Sequence, residues 1–115
     1  MNLSVEQQLQ LLRRKFQLAV EYSKSPEAKK NGGLDTSTQL SFYSLFKQAT
    51  EGACTGPRPS MVKFVERTKY DMWKELGDMN SADAMIEYLK EMDKAQPDWK
   101  KVVKHAETIK FRSKL

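Results

Sequence analysis

"FYSLFKQATEGACTGPRPSM", residues 42–61, decides how the rest of this chain folds. Its first half reads as a helix with two apolar faces. On a 100° wheel Phe42, Leu45 and Ala49 fall on one side, while Tyr43, Phe46, Lys47 and Thr50 fall on another, with Leu40 beside them. One apolar face is enough to join a core, so the aromatic face with a lysine set into it needs another purpose. The second half stops the helix: Gly52 closes it, and Pro57 and Pro59 oppose its continuation. Extended, residues 52–61 reach about 33 Å, whereas a 15-residue helix is only about 22 Å long. The chain can therefore run back along the bundle, leaving the helices on either side of this loop parallel.

Working outward, every other segment also reads as helix. Ser4 with Gln7 forms a capping box, and Leu9, Leu12, Phe16, Ala19 and Val20 continue a 3.6-residue stripe. "SPEAKKNGGLDT", residues 25–36, breaks that helix with Pro26 and the run Asn31, Gly32, Gly33. Thr36 with Gln39 is the expected cap of the second helix, which runs to Glu51. A third helix is expected over about 62–76, ending at Gly77, and Asn80 with Asp83 starts a fourth that runs to about Lys94. The short link from Gly77 to Asn80 predicts antiparallel neighbours. "AQPDW" then interrupts, and Asp98 is placed to cap a short fifth segment carrying Trp99, Val102, Val103 and Ala106.

At 115 residues the chain suits one domain with a modest core. Hydrophobic content of 39% with 30% charged residues fits a globular protein rather than a disordered one. No window approaches 18 continuous apolar residues, and "MNLSVEQQLQ" lacks the basic start and apolar run of a signal peptide. Cys54 stands alone, which excludes an internal disulfide and points to a reducing, cytoplasmic setting. The net charge of +5 is local. Residues 100–115 hold six of the 20 basic side chains (Lys100, Lys101, Lys104, Lys110, Arg112, Lys114) and one of the 15 acids, Glu107. Residues 1–99 are thus neutral, which argues against a nucleic-acid-binding body.

Helix three repeats the oddity of helix two. Val65, Met72, Trp73 and Leu76 define its apolar stripe, and Lys69 falls within it. A buried ammonium without a partner is strongly unfavourable, so Lys47 and Lys69 need an anion or a route to water. Either lysine alone is accommodated by its side chain reaching past its neighbours to solvent. Two lysines near Tyr43, Phe46 and later Tyr88 also suit a phosphate joined to a flat base: ammonium for charge, ring faces for stacking.

At this point the sequence resembles a family. "FYSLFKQATEGACTGPRPSM", "TKYDMWKELGDM" and "DAMIEYLKEM" are similar, in order and separation, to the signature blocks of the acyl-CoA-binding protein domain, over roughly residues 12–94. The resemblance implies an all-α four-helix bundle with an up-down-down-up course, here with a short fifth helix at its C-terminal side. It implies a non-catalytic protein that binds and carries medium- to long-chain fatty-acyl-CoA inside the cell, the acyl chain shielded in a groove between helices. By position, Tyr43, Lys47 and Lys69 would hold the 3′-phosphate of CoA, Phe46 and Tyr88 would border the adenine, and Lys24 matches a further family lysine. This sequence departs from the family in Phe46, where tyrosine is common, Tyr70 in place of tryptophan, Lys63 in place of an acid, a longer first loop, and extensions at both termini.

Catalysis has little to stand on: His105 lies in the basic tail, Cys54 has no base placed beside it, and no metal-ligand spacing or phosphate-binding glycine loop appears. The expectation is a monomer without cofactor or metal, with an acyl-CoA domain over 1–94 and a basic extension over 95–115. Trp99 and its following lysines suggest either a membrane-surface or protein contact, or a segment folded back on the bundle. The competing reading for the whole is a helical protein-interaction module whose groove is degenerate or idle.

Overall fold

A computed structural model describes residues 2–105, and no strand occurs among them. Helices α1 (Val5–Ser23), α2 (Thr36–Glu51), α3 (Phe64–Glu75) and α4 (Ser81–Ala95) follow in order, and residues 99–105 are helical. The expected fifth segment is therefore present as far as it is described; Ala106 and the basic residues Lys110, Arg112 and Lys114 lie outside the described residues.

Local chemistry accounts for most helix ends. Ser4 Oγ accepts from the Gln7 amide while Gln7 Oε1 accepts from the Ser4 amide, the reciprocal box expected for α1. Asn80 caps α4 by accepting from the Asp83 amide at 2.8 Å. At α2 the expectation is corrected by one residue: Asp35, not Thr36, is the cap, its carboxylate accepting from the Thr38 amide at 2.7 Å. A carboxylate favours the positive end of the helix dipole, and Gln39 is drawn away to donate to the Leu34 carbonyl. The first loop is also more ordered than its turn residues suggest. Glu27–Gly32 forms a 3₁₀ turn that tucks Ala28 into the core. It closes at Gly33, where φ is +73°, a conformation that suits glycine.

Hydrogen bonds between distant residues establish the course of the chain. The Tyr22 hydroxyl donates to Gln96 Oε1 at 2.9 Å, joining the C-terminal ends of α1 and α4. Ser81 Oγ donates to the Ala49 carbonyl, so α4 begins where α2 ends. From there the chain lies along α3 in reverse. Trp73 Nε1 donates to the Gly52 carbonyl, the Tyr70 hydroxyl to Gly56, and Arg67 to Pro59. The loop thus returns to the far end, and α3 runs alongside α2 in the same sense. The topology is up-down-down-up, as the loop length permits.

The core lies between α1, α2 and α4: Phe16, Ala19 and Tyr22 meet Phe42, Leu45 and Ala49 and, from α4, Ala84, Tyr88 and Met92. Trp99 joins them, its ring 6.2 Å from that of Tyr22 and its Nε1 donating to Asp93. Here the structure takes the folded-back course: Trp99 is buried, Val102 and Val103 pack against the core, and Lys100, Lys101 and Lys104 are exposed. The expected pairing of α3 with α4 is corrected. α3 packs on α2, and α4 packs on α1 and α2. The physical reason is the fully buried Gln48, whose Nε2 donates to the carbonyls of Gly77 and Met79 and anchors the inter-helix turn on α2. The stripe expected on α3 is only partly realised: Met72, Trp73 and Leu76 are half-buried, but Val65 is exposed.

Candidate functional site

The first face of α2, carrying Phe42, Leu45 and Ala49, is buried in the core. Its second side stays half-exposed: Tyr43 and Lys47 meet α3, and Phe46 meets α1. This division follows from the sequence, because 42, 45 and 49 recur at helical spacing along one stripe, while 43 and 47, and 46 and 50, recur along the adjacent side.

Lys47 and Lys69 meet around one ring. The Lys69 ammonium lies 5.0 Å from the centroid of Tyr43, and the Lys47 ammonium lies 6.0 Å from it. Lys47 also stands 5.4 Å from the centroid of Trp73 on α3. Both distances lie within the range of cation–π attraction, so one ring engages both lysines. Both lysines are half-buried and reach solvent past their neighbours, so neither is an uncompensated buried charge. Lys47 is additionally bridged to Glu51, one turn along α2. That hydrogen bond is the main reason the lysine's pKa is raised; desolvation opposes it, and the charge of Glu51 adds to it.

Tyr43 also forms part of a neighbouring cleft of about 170 Å³, lined by Val20, Ser23 and Lys24 of the α1 end, Phe42, Tyr43 and Phe46 of α2, and Tyr88 of α4. Four of the six expected site residues, Lys24, Tyr43, Phe46 and Tyr88, thus meet in one cleft. Lys47 and Lys69 stand beside it, linked through the Tyr43 ring rather than lining the same walls. Tyr88 forms the floor. It is buried, with its ring 4.7 Å from Phe42 and 5.1 Å edge-on from Phe16. Burial pushes the Tyr88 phenol above its ordinary pKa, and a hydrogen bond with Ser23 pulls it partly back. Phe46 stacks on Phe16 at 6.3 Å, so one face of its ring is already engaged by the core.

Sequence reasoning missed three neighbours. Glu51 was legible as the i+4 partner of Lys47. Ser23 and the ring of Trp73 arrive through tertiary packing, and no local spacing announces them. Cys54, in the loop after α2, is buried with its Sγ 4.0 Å from the Tyr70 carbonyl.

Comparison with known proteins bears on this arrangement. The acyl CoA binding protein family model matches residues 13–92, a span that holds α2, α3, all six expected site residues and most of α1 and α4. An acyl-CoA-binding domain-containing protein 5 from Xenopus tropicalis is 46% identical over 82 residues, 70% of this chain. A related protein 4 from Oryza sativa is 44% identical over 61 residues. This chain spans only 18% of the length of either relative. Among solved structures, the crystal structure of Oryza sativa acyl-CoA-binding protein 2 superposes with a TM-score of 0.66 at 27% identity, covering 76% of this chain and 90% of that one. The solution structure of an acyl CoA binding protein from Babesia bovis gives 0.63 at 31% identity, covering 76% and 96%. The double-faced α2, the parallel α2 and α3 and the matched span agree, and the chain belongs to the acyl-CoA-binding protein family.

Proposed function

We infer that this chain binds medium- to long-chain fatty-acyl-CoA without transforming it and carries it through the cytoplasm as a monomer, with residues 1–94 forming the binding domain and 95–115 an extension. The observation that supports this reading best is the placement of two ammonium groups within 6.0 Å of one tyrosine ring that also lines an aromatic cleft. In this reading Lys47, Lys69 and the Tyr43 hydroxyl hold the 3′-phosphate of CoA. Phe46 and Tyr88 border the adenine, and Lys24 closes the cleft mouth against a second phosphate.

Magnitudes divide the work between the two ends of the ligand. A lysine about 4 Å from a unit negative charge gains roughly 4 kcal/mol at an effective dielectric of about 20, before desolvation is charged against it. Covering a sixteen-carbon chain is worth up to about 12 kcal/mol at roughly 0.8 kcal/mol per methylene. Chain burial therefore dominates affinity, while the cationic cluster selects CoA as the head. Calorimetric titration with palmitoyl-CoA, free CoA and palmitate tests this division. The thioester binds far more tightly than either fragment if the reading is right. If none of the three binds, the carrier role fails and a protein-interaction module takes its place.

A further inference from the structure

The approach to α3 carries a surface that neither the core nor the cleft uses. Met61, Val62, Phe64 and Val65 are 78%, 92%, 73% and 57% exposed, four large apolar side chains within five consecutive positions. Lys63, the fifth, is exposed in their midst, and its side chain makes no capping hydrogen bond to α3. Isolated surface apolar residues are ordinary, but a contiguous cluster of this kind marks a contact surface.

We propose that residues 61–65 form a wedge that seats the protein on an anionic lipid bilayer. Two observations favour a membrane over a protein groove. The side chains project: at up to 92% exposure they are almost uncovered by the rest of the chain, which suits insertion between lipid headgroups. The charge around them is mainly positive. Between residues 58 and 71 there are four basic side chains (Arg58, Lys63, Arg67, Lys69) and two acids, Glu66 and Asp71, a net charge of +2. Arg58 is paired with Asp71 of α3, and Arg67 donates to the Pro59 carbonyl, which leaves Lys63 as the cation at the wedge itself. A lysine amid apolar side chains reaches its ammonium to lipid phosphates while its neighbours enter the acyl boundary.

Val65 lies one helical turn before Lys69 on the same face of α3. Docking through the wedge therefore brings the cationic cluster of the proposed ligand site close to the bilayer, where an acyl-CoA partitions. This consequence rests on the acyl-CoA reading; the docking itself does not.

The test is sedimentation of the full chain with vesicles of phosphatidylcholine containing about 30% phosphatidylserine, and with pure phosphatidylcholine. The expected result is binding to the anionic vesicles that falls at least about tenfold in the Met61→Ser, Val62→Ser, Phe64→Ser variant. In Lys63→Glu, binding to the anionic vesicles weakens while the small binding to neutral vesicles is unchanged. All four positions are exposed, and circular dichroism confirms that the helices persist. Absence of wild-type binding, or equal binding by the triple variant, overturns the proposal. So does a wild-type dimer that the triple variant converts to monomer, because the patch then meets a second copy. A vesicle-free palmitoyl-CoA titration separates the two readings. Unchanged affinity in the triple variant is expected, and a large loss overturns the wedge by assigning those side chains to the ligand. Failure of the wild type to bind palmitoyl-CoA sinks the carrier function alone.

Discussion

At the scale of single residues, the proposed site turns on the ammonium of Lys47. Glu51 is its partner, so in the acyl-CoA reading a phosphate competes with a carboxylate. Exposed i,i+4 pairs are worth a few tenths of a kcal/mol to about 1 kcal/mol. Glu51→Gln removes the competitor and a like charge near the phosphate, and is expected to tighten palmitoyl-CoA binding by about twofold to fivefold. The gain should shrink in high salt, as titrations across ionic strength would reveal. Lys47→Ala and Lys69→Ala act in the opposite direction, each weakening binding by roughly 1–3 kcal/mol, the range for hydrogen bonds to charged groups. Both side chains are half-exposed, so unfolding curves should move little while calorimetry records the loss. Unchanged affinity in both variants removes them from the site.

At the scale of elements, helix ends and connections answer to different physics. Capping is local: Asn80 Oδ1 accepts from the Asp83 amide, and Asn80→Ala is expected to cost about 1 kcal/mol, visible as a lower midpoint in urea. The turn between α3 and α4 is held from a distance by Gln48. Gln48→Leu preserves bulk but strips the donor from the Gly77 and Met79 carbonyls, for about 1–3 kcal/mol by the same measurement. The loop before α3 is tied to it by the two-pronged pair of Arg58 with Asp71, at 2.8 and 2.6 Å. That hydrogen bond holds the Asp71 carboxyl below its ordinary 3.8. With the folded pKa depressed, the unfolded chain takes up the proton first. The contribution is complete above the ordinary value and fades as pH falls through the lower one. Unfolding midpoints measured from about pH 5 down to about pH 2 should therefore decline, and Asp71→Asn should decline less steeply. Asp35, lowered by the Thr38 amide at the α2 cap, contributes with the same sign.

At the scale of the whole molecule, the three-helix core of α1, α2 and α4 supports α3 as an outrigger. α3 buries no residue fully and is held against α2 by the half-buried Trp73 and by the returning loop. α3 is thus the least buried helix of the bundle. Periodicity and capping, written within a few residues, determined by themselves that the chain is helical, where each helix begins to within a residue or two, and that α2 has two usable faces. The family motifs single out Tyr43, Phe46, Lys47, Lys69, Tyr88 and Lys24 as the candidate ligand residues. Tertiary structure alone decided that α3 packs on α2 rather than α4, and that Trp99 is core rather than surface anchor. It also decided that Ser23 and Trp73 border the site and that residues 61–65 remain uncovered. The reason is physical: local spacing dictates which face a side chain occupies, but a buried donor such as Gln48, 29 residues from the carbonyl it satisfies, dictates which faces meet.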